Sequence, residues 1–424
     1  MTKKNPYRAI PVKDLDLTKL DRRTGERTVV GIDIAKEAMK ASILNEGGVL
    51  LATVKWAHPT ETASFNDLLQ RLGPKTEVVG ESTGSYGIAL MESIGAQGFP
   101  IFMVGTKRSH DAAEVFDGVG SQHDAKDAYL LGRLHLNDCS RPWPERNDEQ
   151  RNLQAQVRQL DAVQQRYQQQ LGRLEALAAV YWPGVTKVLD LDSATLWALL
   201  ERLCWSGAVA AQQQLAQRVM RETGKHFLSA DKIAAAVQHA SVAGGLKPTD
   251  AEEDELRSLI RTLRKDKKAV KEQRDEIVEL GQKNDAVRSM APLLGWVTAA
   301  ILFSEVGDPR QYSSSAAYVK AIGLNLKERS SGQHQGQLKI TKRGPSRARQ
   351  YLYLASLRLV QTNAVVAAWY DAKVQRDGGK RKMKAVVAVM RKLARSLIHV
   401  ARGEAFDATK LFDTRKLQIV NQAT

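Results

Sequence analysis

Between residues 28 and 104 the apolar positions come in short β-branched bursts separated by turn residues. Thr28-Val-Val-Gly-Ile-Asp33 alternates faces and reads as a buried strand with an aspartate at its end. Further strands are predicted over 39–44 and 49–54, joined through a Gly47-Gly48 hairpin turn. A helix over 60–72 follows, with Thr60 as its cap and Pro74 beyond it as a stop. Glu77-Val-Val-Gly-Glu81 is another strand ending in an acid, and Ser82-Thr-Gly-Ser-Tyr86 comes next. A helix through Leu90 and Ile94 then leads to a strand over 100–104. A hairpin-led sheet followed by strand–helix alternation predicts a mixed α/β domain.

The period changes after residue 144. Arg141-Pro-Trp-Pro144 breaks the chain and marks a boundary. Leu153, Val157, Leu160, Tyr167, Leu171 and Leu174 then recur at three-and-four spacing, as do Leu256, Ile260, Leu263, Val270 and Ile277. Two such stripes of this length predict antiparallel coiled-coil arms. The alanine- and glutamine-rich helices expected over 181–245 suggest no role. Farther on, Met290-Ala-Pro-Leu-Leu-Gly295 resembles the turn of a helix-hairpin-helix, which offers backbone N–H groups to phosphate. Helices are expected over 312–322 and 346–360, with a basic helix from Gly378-Gly379 to His399. The predicted layout is a polar basic arm (1–26), an α/β domain (27–144), coiled-coil arms with a helical insertion (145–285), a mainly α-helical domain (286–411) and a tail (412–424).

Charge narrows the partners. In 424 residues, 63 Lys and Arg stand against 47 Asp and Glu, a formal charge of +16, which points to a polyanion and most simply to nucleic acid. Two cysteines, Cys139 and Cys204, exclude a disulfide framework or a zinc cluster and fit a reducing cytoplasm. No apolar run approaches a membrane span, and the basic start lacks the apolar stretch of a secretory signal.

Against that background the acids stand out. Asp124 and Asp127, three apart at the start of an apolar helical run, share one helix face. Such a pair repels unless a cation sits between the two groups. Asp33 and Glu81 end separate strands, and a sheet that neighbours them with the helix packed across it converges all four. Four converging carboxylates hold Mg²⁺ (or Mn²⁺) for phosphodiester chemistry. None of the eight histidines pairs at metal-ligand spacing, so the expected site is all-oxygen. A second candidate is Ser331, in Arg329-Ser330-Ser331-Gly332. Lys327, Arg329, Lys339, Lys342, Arg343, Arg347 and Arg349 surround it in sequence, with Glu328 the only acid of that span. A phosphate would be drawn there and its transition-state charge offset by guanidinium groups.

Gly-Ile-Asp33-Ile-Ala-Lys36, Gly-Glu81-Ser-Thr-Gly-Ser-Tyr86 and Asp124-Ala-Lys-Asp127-Ala128, in that order, resemble the Asp-Glu-Asp-Asp transposases of bacterial insertion sequences, relatives of the pilin-gene invertases. Leu293-Leu-Gly295-Trp-Val-Thr298-Ala, the run 318–324, Ser331-Gly332 and Ile340-Thr-Lys342-Arg343-Gly344 are similar to that family's C-terminal motifs. The resemblance implies a RuvC-like, ribonuclease-H-like N-terminal domain and Ser331, rather than Ser330, as a catalytic serine. It implies DNA cut and rejoined through a covalent phosphoserine, with the acids of one subunit completing a composite site around the serine of another. Donor and target DNA, a structured bridge RNA and a homo-oligomer built as a dimer of dimers are the implied partners, in the bacterial cytoplasm at the nucleoid. The chain departs from the pattern at His123, where a threonine is expected, and at Pro345, where a small polar residue is commoner. Rival readings are a metal-only junction resolvase in which Ser331 is structural, an actin-like ATPase or sugar kinase, and a non-catalytic nucleic-acid scaffold. The second lacks the further phosphate loop it would need.

Overall fold

The turn at Gly48, with φ at +75°, lets the chain reverse between β3 (Ala38–Asn45) and β4 (Leu50–Ala57). That hairpin seeds a seven-stranded sheet. β2 (Thr28–Asp33) pairs antiparallel with β3 on one side and parallel with β5 (Thr76–Glu81) on the other. β6 (Ile101–Val104) continues parallel to β5, and the edges are β1 (Ile10–Pro11) beside β4 and β7 (Arg141–Pro142) beside β6. The order is β1-β4-β3-β2-β5-β6-β7. In this computed structural model the described residues are 7–16, 18–21, 27–81, 86–112, 114–116, 123–144, 147–328 and 338–413, and the chain divides into two units, 1–145 and 146–424.

Strand alternation sorts the first unit into three layers. Val30, Ile32, Ile43 and Val78 face α1 (Thr62–Leu72) and α2 (Ile88–Ala96), burying Phe65, Leu69, Met91 and Ile94. Their neighbours Val29 and Val79 face the other way, onto Leu131 and Leu134 of α4 (Asp124–Leu136). A short helix α3 (Thr106–Asp111) follows β6. This mixed sheet between helices is compatible with the ribonuclease-H-like domain the sequence resembles. Two details differ from the sequence reading. α1 begins at Thr62, because the Glu61 carboxylate accepts the Ala57 N–H at 2.9 Å and Thr60 is left outside. In the expected polar arm, Ile10 and Pro11 add a strand while Val12 and Leu20 enter the core, so apolar side chains tie the described part down.

The second unit is built on two long helices, α5 (Asp148–Tyr181) and α9 (Asp250–Gln282). Asn147 and Thr249 start them, Thr249 and Glu252 forming a reciprocal capping box. Glu149 accepts from Asn284 at 2.7 Å, Gln156 meets Gln273, Arg166 donates to Asp266 at 2.9 Å and Arg173 to Glu255 at 3.1 Å. Numbers rising on one helix meet numbers falling on the other, so the pair runs antiparallel along its length. Its tip is buried by α6 (Ala194–Leu203), α7 (Gln213–Gly224) and α8 (Ala230–Val242), around Trp182, Leu196, Leu199 and Met220. The 181–245 insertion thus forms the core of the tip. At the root, Leu153, Val157, Leu160 and Ile277 join α10 (Asp285–Leu294), α11 (Trp296–Val306), α12 (Ser315–Ile322), α13 (Ser346–Thr362), α14 (Ala364–Arg376) and α15 (Lys382–Ala401). Gly295, φ +77°, makes the single-residue joint between α10 and α11. Among the described residues no helix is long and apolar enough to cross a membrane.

Candidate active site

Asp33 and Glu81 are the last residues of two adjacent parallel strands, since Ile32 lies opposite Gly80 in the register. The C-terminal edge of parallel strands is where α/β sheets place their chemistry. The helix that carries the other two acids reaches that edge because Gly31 has no side chain. A Cβ there would stand 2.1 Å from the Ala128 carbonyl oxygen and 2.7 Å from the Gly132 nitrogen. Gly132 in turn leaves room for Leu44, so α4 lies directly on β2 and β3. Ser42 Oγ adds a hydrogen bond to the Ala125 carbonyl at 3.3 Å.

The first turn of α4 is thereby held over the strand ends. His123 caps it, its Nδ1 accepting the Lys126 N–H at 3.2 Å. This is the service a threonine would perform, which accounts for the departure at that position. The Tyr7 ring leans on His123 at 5.6 Å and on Tyr129 at 5.4 Å.

The four carboxylates feel one another. Burial, and then repulsion from Asp124, Asp127 and Glu81, pushes Asp33 up to about 7. Burial and Asp124 also raise Asp127. Asp124 goes the other way, below the usual carboxylate range, because Lys40 donates a hydrogen bond to it. Lys40 stands directly opposite Asp33 in the β2–β3 register. Glu81 accepts from Ser109 Oγ of α3 at 3.0 Å. Lys40 and Ser109 carried no signal in the sequence, because both contacts depend on register and on a loop crossing. Among the described residues no three acids or imidazoles are drawn together as a closed metal cage. The donor set nevertheless fits a hard divalent cation, being all-oxygen and self-repelling, with Asp33 pushed up to about 7 by burial and by the neighbouring acids.

The other polar cluster of this unit lies at the far edge of the sheet. His135 donates or accepts at Ser140 Oγ and Glu77 at 2.6 Å each, and Arg27 holds the same carboxylate. It ties the end of α4 to the start of β5.

In the second unit the basic residues divide. β8 (Leu326–Lys327) and β9 (Lys339–Ile340) pair antiparallel, setting Lys327 opposite Lys339, both exposed. Lys342 and Arg343 are exposed as well. Lys342 adopts the left-handed conformation, φ +55°, while its N–H reaches the Gly323 carbonyl at 2.9 Å. A Cβ on Gly344 would fall 2.3 Å from the Ala321 carbonyl oxygen. The Lys342-Arg343-Gly344 run is therefore clamped backbone to backbone on the Gly323 turn. Two residues expected to bind nucleic acid are committed inside the fold. Arg347 bridges Asp161 of α5 and Glu305 of α11, and Arg349 donates to the Ile322 and Gly344 carbonyls at 3.1 and 2.7 Å. Both lie in the first turn of α13, on either side of the buried Ala348. Ser331 and Arg329 lie outside the described residues, and so does Ser330. Of the run 290–295 expected as a turn, residues 290–294 are instead the end of α10, with Pro292 inside it, and only Gly295 breaks the helix; Arg358 donates to the Leu293 carbonyl at 3.0 Å.

Two family models match the chain. One, for a transposase of the DEDD, IS110 type, covers residues 30–183, and one described as transposase IS116/IS110/IS902 family covers residues 289–371. Together they span more than half of the sequence. The chain belongs to the IS110 family of DEDD transposases. No curated protein gives a significant match. As an IS110-family transposase it is an enzyme that acts on DNA, and its DEDD domain is of a kind associated with divalent metal.

Proposed function

We propose that this transposase cuts donor and target DNA and rejoins them, with Asp33, Glu81, Asp124 and Asp127 as one half of the site and Ser331 as the other. What supports the reading is that acids from two adjacent strand ends and the first turn of one helix lie near enough to raise Asp33 electrostatically, in a protein whose net charge is +16. A divalent cation bound by these carboxylates, Mg²⁺ or Mn²⁺, would neutralise phosphate charge and lower the pKa of a coordinated hydroxyl. Lys40 positions Asp124, and Ser109 positions Glu81. In the serine step, Ser331 Oγ attacks phosphorus, a DNA hydroxyl departs with the bonding pair and takes up the proton, and a later attack by another strand's hydroxyl frees the serine. One phosphodiester is exchanged for another, so no external energy source is needed. Lys327, Lys339, Lys342 and Arg343, exposed and close in sequence to Ser331, are the phosphate contacts we retain. Guidance by a structured RNA and assembly as a dimer of dimers rest on the family resemblance.

The test is a denaturing gel of protein incubated with labelled donor and target DNA, co-purified nucleic acid and Mg²⁺. A covalent protein–DNA adduct in wild type that is absent in Ser331→Ala is the expected result. Cleaved DNA without an adduct would establish instead the metal-dependent nuclease reading, which the acidic cluster alone also favours.

A further inference from the structure

A groove of about 1380 Å³ runs along the long helix pair of the second unit, between α5, α9, α6 and the start of α13, and none of the residues assigned to strand exchange lines it. Its walls differ in chemistry. Arg264, Lys267, Lys268, Lys271 and Arg274 line the α9 side at helical spacing, with the acid Asp275 beside them at its root end. From Arg264 to Arg274 these charges span about 15 Å of helix. Gln164, Gln165, Gln168 and Gln169 line the α5 side, neutral amides that each offer donors and an acceptor. Tyr351 and Leu354 of α13 close the root end, Leu354 half exposed and Tyr351 with its hydroxyl 3.5 Å from Gln164.

The charges are not all spent on one another. Arg264 meets Glu201 at 2.8 Å and Lys267 meets Asp192 at 2.8 Å. Asp161, an acid of the groove, is taken by Arg347. Lys268 meets Glu272 at 3.3 Å, while Lys271 and Arg274 are exposed and, among the described residues, no ion pair or hydrogen bond holds either, Arg274 acting on Tyr351 through its charge alone. A wall of cations facing a wall of amides, with an aromatic ring and a leucine at one end, matches a strand that presents phosphates on one side and bases on the other. An acidic peptide would answer the cations and leave the amides unused.

We propose that this groove binds an unpaired stretch of polynucleotide, with phosphates along Lys267, Lys271 and Arg274 and bases against Gln164, Gln168 and Tyr351. Such a holding site shares with the proposed strand exchange only the premise that the chain handles nucleic acid. It is tested on the full chain carrying Asp33→Asn, so that no strand is cut, by fluorescence anisotropy with a labelled oligothymidylate, an oligouridylate and a DNA duplex of equal length. Lys271→Gln with Arg274→Gln should weaken single-strand binding at least tenfold and flatten the log–log salt slope by about 1.4, from roughly 0.7 for each phosphate no longer neutralised. Tyr351→Ala should weaken binding of the same strands about 5- to 150-fold, in keeping with about 1–3 kcal/mol per stacked base. Preference for the uridylate or the thymidylate would tell RNA from DNA, and either supports the groove. Unchanged affinity and slope for every probe would overturn it, as would variants that change only the molar mass in light scattering, which would make the groove a contact between copies. A parent chain that bound no nucleic acid at all would overturn the transposase reading together with it. Lys271 and Arg274 anchor no other described side chain, so an unaltered thermal melt is expected and checks that the variants fold.

Discussion

Asp33 concentrates the electrostatics of the first unit in one carboxyl. Its value rises from 3.8 to about 7, first through burial and then through three neighbouring carboxylates. The sign follows directly. Between those two values the folded state binds a proton that the unfolded state does not, so stability falls as pH rises through the window and levels off above 7. Without divalent cations, Asp33→Asn should therefore gain a few degrees in melting temperature over wild type between pH 5 and 7.5. Added Mg²⁺ should return the difference at high pH in wild type only. A gap that does not vary with pH would show that Asp33 is not strained by its neighbours. Strand cleavage should vanish in this variant while nucleic-acid binding persists, a pair of results that separates a metal-holding acid from a binding residue. At this scale the sequence was readable for acids and less so for bases. An aspartate after Val-Val-Gly-Ile marks a strand end whatever the tertiary context. Lys342 and Arg347 carry the same charge five residues apart, and only the packing of α13 shows that Arg347 is enclosed by Asp161 and Glu305.

At the level of elements, the decisive contact is α4 on β2. Gly31→Ala places a methyl group 2.1 Å from a backbone oxygen, so the helix must lift. Overpacking of this kind costs about 1–3 kcal/mol. Because Asp124 and Asp127 ride on that helix, activity should fall by more than stability explains. The check is cleavage measured well below the variant's melting temperature. If the variant cleaves normally there, the four acids do not depend on this packing. Both elements were legible, β2 from its β-branched run and α4 from the apolar period after Asp127. The close approach was not, since a glycine inside a strand also reads as a bulge or a weak spot. The segment before residue 27 hid its apolar anchors for a related reason. Ile10, Val12 and Leu20 are too dispersed to show a period, yet each finds a place at the sheet edge or in the core.

Taken whole, the second unit has two cores joined by one helix pair, and Arg347 is the side chain that ties α5, α11 and α13 together at the root. Arg347→Ala should destabilise it by about 1–3 kcal/mol, below the range for a fully buried pair because the partners are partly solvated. Chemical denaturation read through root tryptophans such as Trp296 and Trp369 should register the loss. If instead the variant unfolds like wild type but no longer binds DNA in a salt-sensitive way, Arg347 belongs with the phosphate contacts after all. The stripes at 153–174 and 256–277 announced two long helices, because every third or fourth position is apolar. The tip between them was harder to read, since alanine-rich segments bury small side chains without a strong period.

The antiparallel register of that pair carries a consequence for how such a gene can change. Contacts from Glu149–Asn284 at one end to Arg173–Glu255 near the other keep a fixed pairing, so an insertion in one helix alone would shear every contact beyond it. Compensated insertions of equal length in both helices preserve the root and the tip and alter only the distance between them. Reach is thus the dimension this architecture leaves adjustable, and paired insertions and deletions are the form in which relatives of different span should differ.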